Sequence, residues 1–291
     1  MKNTYVRFIC SNILFVLLTI SCTKEISVDV THETQTIIFG TISNETAPVV
    51  IHVQQSVPLQ SSSTSKPVND ALLSLFTKDN LGNTSLITND FAINNGVYTS
   101  NEPIITTIGN SYWIEVELND GTVFTSKEEV LKPVVVVNDI QIKNEDILEI
   151  EFSDPEDDTN FYKFTIELLQ NGQVVSSNLS QSNDVVFDGK ENATVEIDLF
   201  EFQDEDDEIE IQYDEIRVAF CNINFSSYQF YLNQDLQLEA NDSEGSGDPS
   251  QLFATPPVNL LGNITNLKTN EIALGNFTVN SISNVNQAIS N

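Results

Sequence analysis

The residues best equipped for chemistry in this sequence are acids. Asp154, Glu156, Asp157 and Asp158 crowd one short turn, and Asp204-Glu205-Asp206-Asp207-Glu208 forms an unbroken acidic run. Oxygen-rich loops of this kind suit calcium, which takes roughly six to eight oxygen ligands. Asp154, Glu156, Asp157, Asp158, Asp204 and Asp206 are the expected ligands, and Ca2+ is the only cofactor the sequence suggests. The EF-hand spacing is missing, and a charge run also serves simply as a solvated loop. Other reactive types are sparse. The two histidines are His32, in a polar stretch, and His52, which alternates with Ile51 and Val53 and so falls on the opposite, solvent side of a strand. No HExxH and no histidine pair at metal spacing occurs, and there is no glycine-rich phosphate loop. No acid, base and nucleophile constellation can be read, so the expectation is a protein that is not an enzyme.

Trp113 is the one tryptophan. In Tyr112–Leu118 the residues Tyr112, Ile114, Val116 and Leu118 share one face, which leaves Trp113 with Glu115 and Glu117 on the polar one. An aromatic there can stack on a sugar or anchor a partner. The alternative is that a loop or a second domain covers it.

These groups must be held by something, and the first 22 residues say where. Lys2 and Arg7 give a positive start, Ile13 to Ile20 is an apolar run of eight residues, and Ser21-Cys22 follows. That order is a secretory signal. The run is far short of the ~20 residues that span a bilayer as a helix. A cysteine directly after the small residue predicts a bacterial lipoprotein: residues 1–21 are removed, Cys22 is lipidated, and the membrane lipid is the first partner. A plain cleaved signal is the alternative. Two or more acyl chains, at ~0.8 kcal/mol per buried CH2, anchor stably.

Composition narrows the function classes. The chain has 12 Lys+Arg against 43 Asp+Glu, a formal charge of −31, and loss of Lys2 and Arg7 with the signal makes it two charges more negative. Such a surface repels phosphates, so nucleic acid is excluded as a partner. With 40% hydrophobic residues the chain can still bury a core. Of three cysteines, Cys10 leaves with the signal and Cys22 carries lipid, so Cys221 has no disulfide partner and reads as a small buried hydrophobe.

After a polar tether (22–35) come short β-type runs with turn signals between them: Thr36–Ser43, Val49–Gln54, Ala71–Thr77, Ser85–Thr88, Val97–Ser100, Tyr112–Leu118 and Thr122–Ser126, with a Ser-rich loop at Gln60–Lys66. Lys132-Pro133 marks a boundary. Val134–Ile142, Ile147–Ser153, Phe161–Gln170, Gln173–Ser177, Thr194–Phe200, Glu208–Tyr213 and Glu215–Ile223 follow, with Asn171-Gly172 as the strongest hairpin signal. Tyr228, Tyr231, Leu232 and Leu236 have helical spacing and predict a helix over about 227–239. Ala240–Ser250 reads as a flexible loop, and Gly275–Asn280 as a closing strand. The expected fold is all-β: two antiparallel β-sandwich domains, 36–131 and 132–291, with one short helix.

Several segments, in this order, carry a family resemblance: Pro67-Val68-Asn69-Asp70-Ala71, Gly96-Val97-Tyr98, Gly109, Tyr112, Gly121, Phe152-Ser153-Asp154-Pro155, Phe161-Tyr162, Tyr228, Tyr231-Leu232, Pro256-Pro257-Val258, Gly262-Asn263-Ile264 and Leu274-Gly275-Asn276-Phe277. The chain resembles domain-of-unknown-function family 4249, outer-membrane lipoproteins of Bacteroidota. In the closing segment Leu267–Ala273 stands where the family has further glycines. The resemblance implies an outer-membrane, lipid-anchored protein and supplies no catalytic residues. It also implies a TonB-dependent outer-membrane receptor as partner, because members are commonly encoded beside one. The first domain resembles transthyretin-like or carboxypeptidase-regulatory sandwiches, an Ig-like plan, and the second a fibronectin III-like one. Thr23-Lys24-Glu25 resembles the Lys-acid signal that follows the lipidated cysteine in surface-exposed lipoproteins, so the cell surface is the expected face. On this reading the protein is a binding or accessory module. The alternative is a free-standing surface module for glycan or calcium.

The anchor is directly testable. Cys22→Ala should move the protein from the detergent-soluble membrane fraction to the soluble one. A variant that stays with the membrane overturns lipidation.

Overall fold

A computed structural model of the chain describes residues 32–58, 61–144, 146–156, 159–186, 188–202, 211–242 and 260–289. Residues Thr34–Asn291 form one compact unit, and of the other, Met1–Glu33, only 32–33 are described. Cys22 and most of the tether therefore lie outside the described residues.

The strands before Lys132 are Thr36–Ser43 (β1), Val50–Gln55 (β2), Lys66–Pro67 (β3), Leu72–Lys78 (β4), Thr84–Thr88 (β5), Phe91–Asn94 (β6), Val97–Ser100 (β7), Ser111–Glu117 (β8), Val123–Ser126 (β9) and Glu129–Val130 (β10). Beyond it come Val136–Lys143 (β11), Ile147–Ser153 (β12), Phe161–Gln170 (β13), Gln173–Asn183 (β14), Ala193–Asp198 (β15) and Glu215–Ile223 (β16). The helix Phe225–Asp242 (α1) and the strands Leu261–Asn266 (β17) and Ile272–Ala288 (β18) complete the described chain. The structure is nearly all β, with one α-helix among the described residues.

Alternation explains most of these elements. In β8 the buried side chains are Tyr112, Ile114 and Val116, as the period of two requires. In β13 the pattern is the same from Tyr162 to Leu168. Asn171 and Gly172 join β13 to β14 with φ of 52° and 75°, the two left-handed residues that match a hairpin turn to the twist of its strands. The helix extends beyond the expected 227–239 at both ends. Two expected strands are shortened or missing: Thr194–Phe200 ends at Asp198 and passes into a 3-10 turn, Leu199–Phe202, and of Glu208–Tyr213, residues 208–210 lie outside the described residues and 211–213 form no ladder. Ile211 and Tyr213 instead pack side-on against a core, so burial there does not need a strand. Strand β14 runs six residues past the expected Ser177, because β13 offers it a full-length partner.

Two hydrophobic cores form. One gathers Ile38, Ile51, Leu75, Tyr98, Ile114 and neighbours up to Leu131, together with Ile264, Phe277 and Val279. The other gathers residues from Val135 to Phe220. Lys132-Pro133 thus passes between the cores, but the closing strands return to the first one. A division at 132 assigns 261–280 to the wrong core.

The cause is β18. Its first half pairs in parallel with β1, from Ile37↔Leu274 to Ser43↔Asn280. Its second half pairs antiparallel with β16, from Ile223↔Asn280 to Glu215↔Ala288. Strand β17 pairs with both β18 and β9. One strand therefore carries the ladders of both halves, in a sheet of order β5-β4-β8-β9-β17-β18-β1-β2-β7-β6 from which β16, β13 and β14 branch.

Close backbone approach makes this possible. A Cβ on Gly275 (φ 104°) would stand 2.0 Å from the Ile38 carbonyl oxygen, and one on Gly262 would stand 2.1 Å from the Gly275 carbonyl oxygen. Gly275→Ala should therefore cost at least about 3 kcal/mol, since backbone rather than a flexible side chain must move. Gly82→Ala is the control: it has a similar φ of 89° but open space around it, and should lose only about 1 kcal/mol. Urea unfolding of both variants tests this, and equal losses would remove the close-approach explanation.

Candidate functional site

Asp154 follows β12, Asp184 opens a 3-10 turn (Asp184–Val186) after β14, and Asp188 follows in the loop to β15. One carboxylate oxygen from each lies within 4.8 Å of the others. Asp154 and Asp184 are 6% and 4% exposed, so two of the three acids are inside the protein. Each is held by donors. The Tyr162 hydroxyl donates to Asp154 Oδ1 and the Gly189 N–H to Asp154 Oδ2 at 2.8 Å. The Asn160 N–H donates to Asp184 Oδ2 at 2.6 Å. Burial pushes the Tyr162 phenol far above its usual range, and the bond to Asp154 and the charges of Asp154, Asp184 and Asp188 push it further. It is a fixed neutral donor to the cluster.

Three carboxylates this close suit a hard divalent cation, with water completing the shell. The cluster overlaps the sequence expectation at one residue. Glu156 is exposed, lies over Gly189 and stays outside the cluster. Asp157, Asp158, Asp204 and Asp206 lie outside the described residues. Asp184 and Asp188 were not legible as partners of Asp154, because the full length of β14 is what returns the chain beside β12. Their own signal is slight: two acids four apart around Val185-Val186-Phe187.

Trp113 is half-buried and stacks on Phe76, its direct neighbour on β4, with centroids 5.4 Å apart and planes 12° apart. Leu86 faces Phe76 from β5 and is exposed. The row Leu86–Phe76–Trp113 crosses the outer face of this sheet, so Trp113 is covered by its own sheet. His52 lies between Phe39 and Val97 across the ladder, half-buried. Cys221 is buried, and burial pushes its thiol above the usual range, so it stays protonated.

The residues that carry the family resemblance prove to be hydrogen-bonded, some to one another and some to residues outside those segments. Gly96 N–H donates to Asn69 Oδ1 at 2.7 Å. The Tyr98 hydroxyl donates to the Val68 carbonyl and accepts from Ala71 N–H, both at 3.0 Å. Tyr112 Oη accepts from Thr107 N–H at 2.7 Å. Tyr162 reaches Asp154. Asn263 clamps Phe277 by both backbone groups at 2.8 Å, and Asn276 Nδ2 donates to Ser227 Oγ and Thr278 Oγ1 at 2.9 Å. Tyr231 Oη meets Thr278 Oγ1 at 3.1 Å.

No curated protein matches the sequence. Among solved structures, a two-domain fibronectin type III segment of chicken tenascin is 8% identical, covering 65% of this chain and 91% of its own, at a TM-score of 0.21. A DUF4785 family protein from Legionella pneumophila is 9% identical, covering 65% and 52%, at 0.25. A tetra-tandem repeat from the extending region of a large adhesion protein is 9% identical, covering 65% and 45%, at 0.23. Superpositions this loose assign no topology. The family comparison is firmer: residues 23–284 match the family described as "Domain of unknown function (DUF4249)", so the chain belongs to the DUF4249 family.

Proposed function

We propose that this chain is a lipid-anchored outer-membrane module, not an enzyme, that works as a binding or accessory partner of a TonB-dependent receptor, on the cell surface. The observation that carries this reading is where the family match begins. It starts at residue 23, directly after Cys22 and the charge, apolar run and small residue that precede it. The family domain would thus hang from the lipid-bearing residue. From Cys22 to the start of β1 at Thr36, the chain can reach at most about 50 Å. Two proteins confined to one membrane at that reach meet at high effective concentration, so a modest interface suffices. The acidic surface would orient the module against a basic patch and would set encounter rate more than affinity.

A second reading, a free-standing surface module that binds calcium, draws on the Asp154, Asp184 and Asp188 cluster. The two readings separate experimentally. Crosslinking in intact cells followed by mass spectrometry should give a β-barrel receptor as the main partner. Crosslinks confined to lipopolysaccharide, abundant bystanders or other copies of the chain defeat the accessory role.

For the second reading, millimolar calcium should raise the Tm of the protein by several degrees, as a ligand bound only by the native state does. Asp184→Asn should remove the gain. Magnesium and sodium chloride at matched ionic strength control for screening of the acidic surface. An equal gain in all three salts leaves only general screening.

A further inference from the structure

Glu129 sits where both halves of the fold meet α1. It lies on β10 opposite Tyr112 of β8, and it is 3% exposed. The Ser226 hydroxyl, in the first turn of α1, donates to its Oε1. Asn263 of β17 supports it by a further hydrogen bond. Its Oε2 is buried with no hydrogen-bond partner among the described residues. The neighbouring network has the same defect: Asn276 donates to Ser227 and Thr278, yet its Oδ1 is a buried acceptor without a donor. A buried acceptor without a donor is costly. A proton on Glu129 removes a buried charge.

Few charges oppose that protonation. From β10 and its approach come Lys127, which favours the ionised form, and Glu128, held by Lys78 at 3.0 Å in an exposed ion pair. The groups facing from α1 are Ser226, Ser227 and Tyr231; β17 contributes Asn263, β18 contributes Asn276 and Thr278, and β8 contributes Tyr112. Asn224, just before α1, reaches the Val130 and Val279 carbonyls at 3.0 and 3.1 Å. The first turn of α1 is pinned to the seam by these polar groups, with Glu129 the one acid among them, and to β13 by Phe225 and Tyr228, whose ring centroids lie 5.1 and 5.0 Å from that of Phe161.

We infer that Glu129 is a proton-operated latch: protonated, it holds the first turn of α1 on the seam between β10, β17 and β18, and ionised, it lets that turn lift and uncover Asn276 and Thr278. Burial, partly offset by Asn263 and Lys127, moves the carboxyl from its ordinary 4.5 up to about 7. The closed form therefore holds the proton more tightly than the open one. Closing is strongest below about 4.5, weakens as pH rises toward about 7, and levels off above it. With those two values, opening gains about 30-fold between pH 5.5 and pH 8.5.

Hydrogen exchange of the full-length protein in detergent, corrected for intrinsic rates, reads this directly. Protection of residues 225–232 should fall about 30-fold from pH 5.5 to pH 8.5, with little change in the core strand β13. Glu129→Gln, neutral at every pH, should flatten the dependence to within a factor of about 3. Equal dependence in both proteins overturns the latch, as does a flat profile in the unmodified protein. If Glu129→Gln does not fold, carbon-13 titration of the Glu129 carboxyl in the unmodified protein decides. A midpoint near 7 supports the latch, and one near 4.5 overturns it.

Discussion

The larger of the two sheets depends on one strand of seventeen residues that pairs with both halves of the chain. Strand β18 is too long for either half of the protein to satisfy alone. Strand β1 serves it up to Asn280, and β16 serves it from there. Where a partner strand stops, an asparagine side chain stands in. Asn263 bonds both backbone groups of Phe277, and Asn44 does the same for Ile282 at 2.6 and 3.3 Å. A primary amide presents an N–H donor and a carbonyl acceptor side by side, so it can extend a ladder by one step. The buried backbone would otherwise be left unsatisfied at the handover.

This arrangement explains what could be read in the sequence and what could not. Phe161–Gln170 was legible because its side chains alternate and Asn171-Gly172 follows it, both local facts. The partners of β18 were not. Parallel pairing of Ile37 with Leu274 joins residues from opposite ends of the chain, and no spacing rule connects them. The candidate cation site failed in the same way. Asp154 was visible because acids cluster beside it, while the carboxylates that join it come from thirty residues downstream. Trp113 was assigned to the right face, but alternation says nothing about which ring on the adjacent strand will stack on it.

The segments that carry the family resemblance now have a physical meaning. They are pins between distant parts of the chain: Tyr98 to Val68 and Ala71, Tyr162 to Asp154, Tyr231 to Thr278, Asn263 to Phe277. Such residues specify a scaffold. Membership of the family therefore transfers the architecture more securely than any activity, because function resides in what the scaffold carries. The aromatic row at Leu86, Phe76 and Trp113 lies outside those pins, whereas Asp154 belongs both to a pin, through Tyr162, and to the acidic cluster.

The buried acids divide by how their charge is met. In a chain of −31, each carboxylate taken out of water also feels the field of the others. Asp154 and Asp184 are compensated by donors aimed at them: a phenol and two backbone N–H groups. Two buried carboxylates beside exposed Asp188 bring three oxygens within reach of one cation. Glu129 has one hydroxyl and one amide for a carboxylate 3% exposed, and one of its oxygens has nothing. There the cheaper solution is to keep the proton. The same residue chemistry thus has two outcomes in one protein. Donor-rich burial at β12 favours metal ions, and donor-poor burial beneath α1 favours protons.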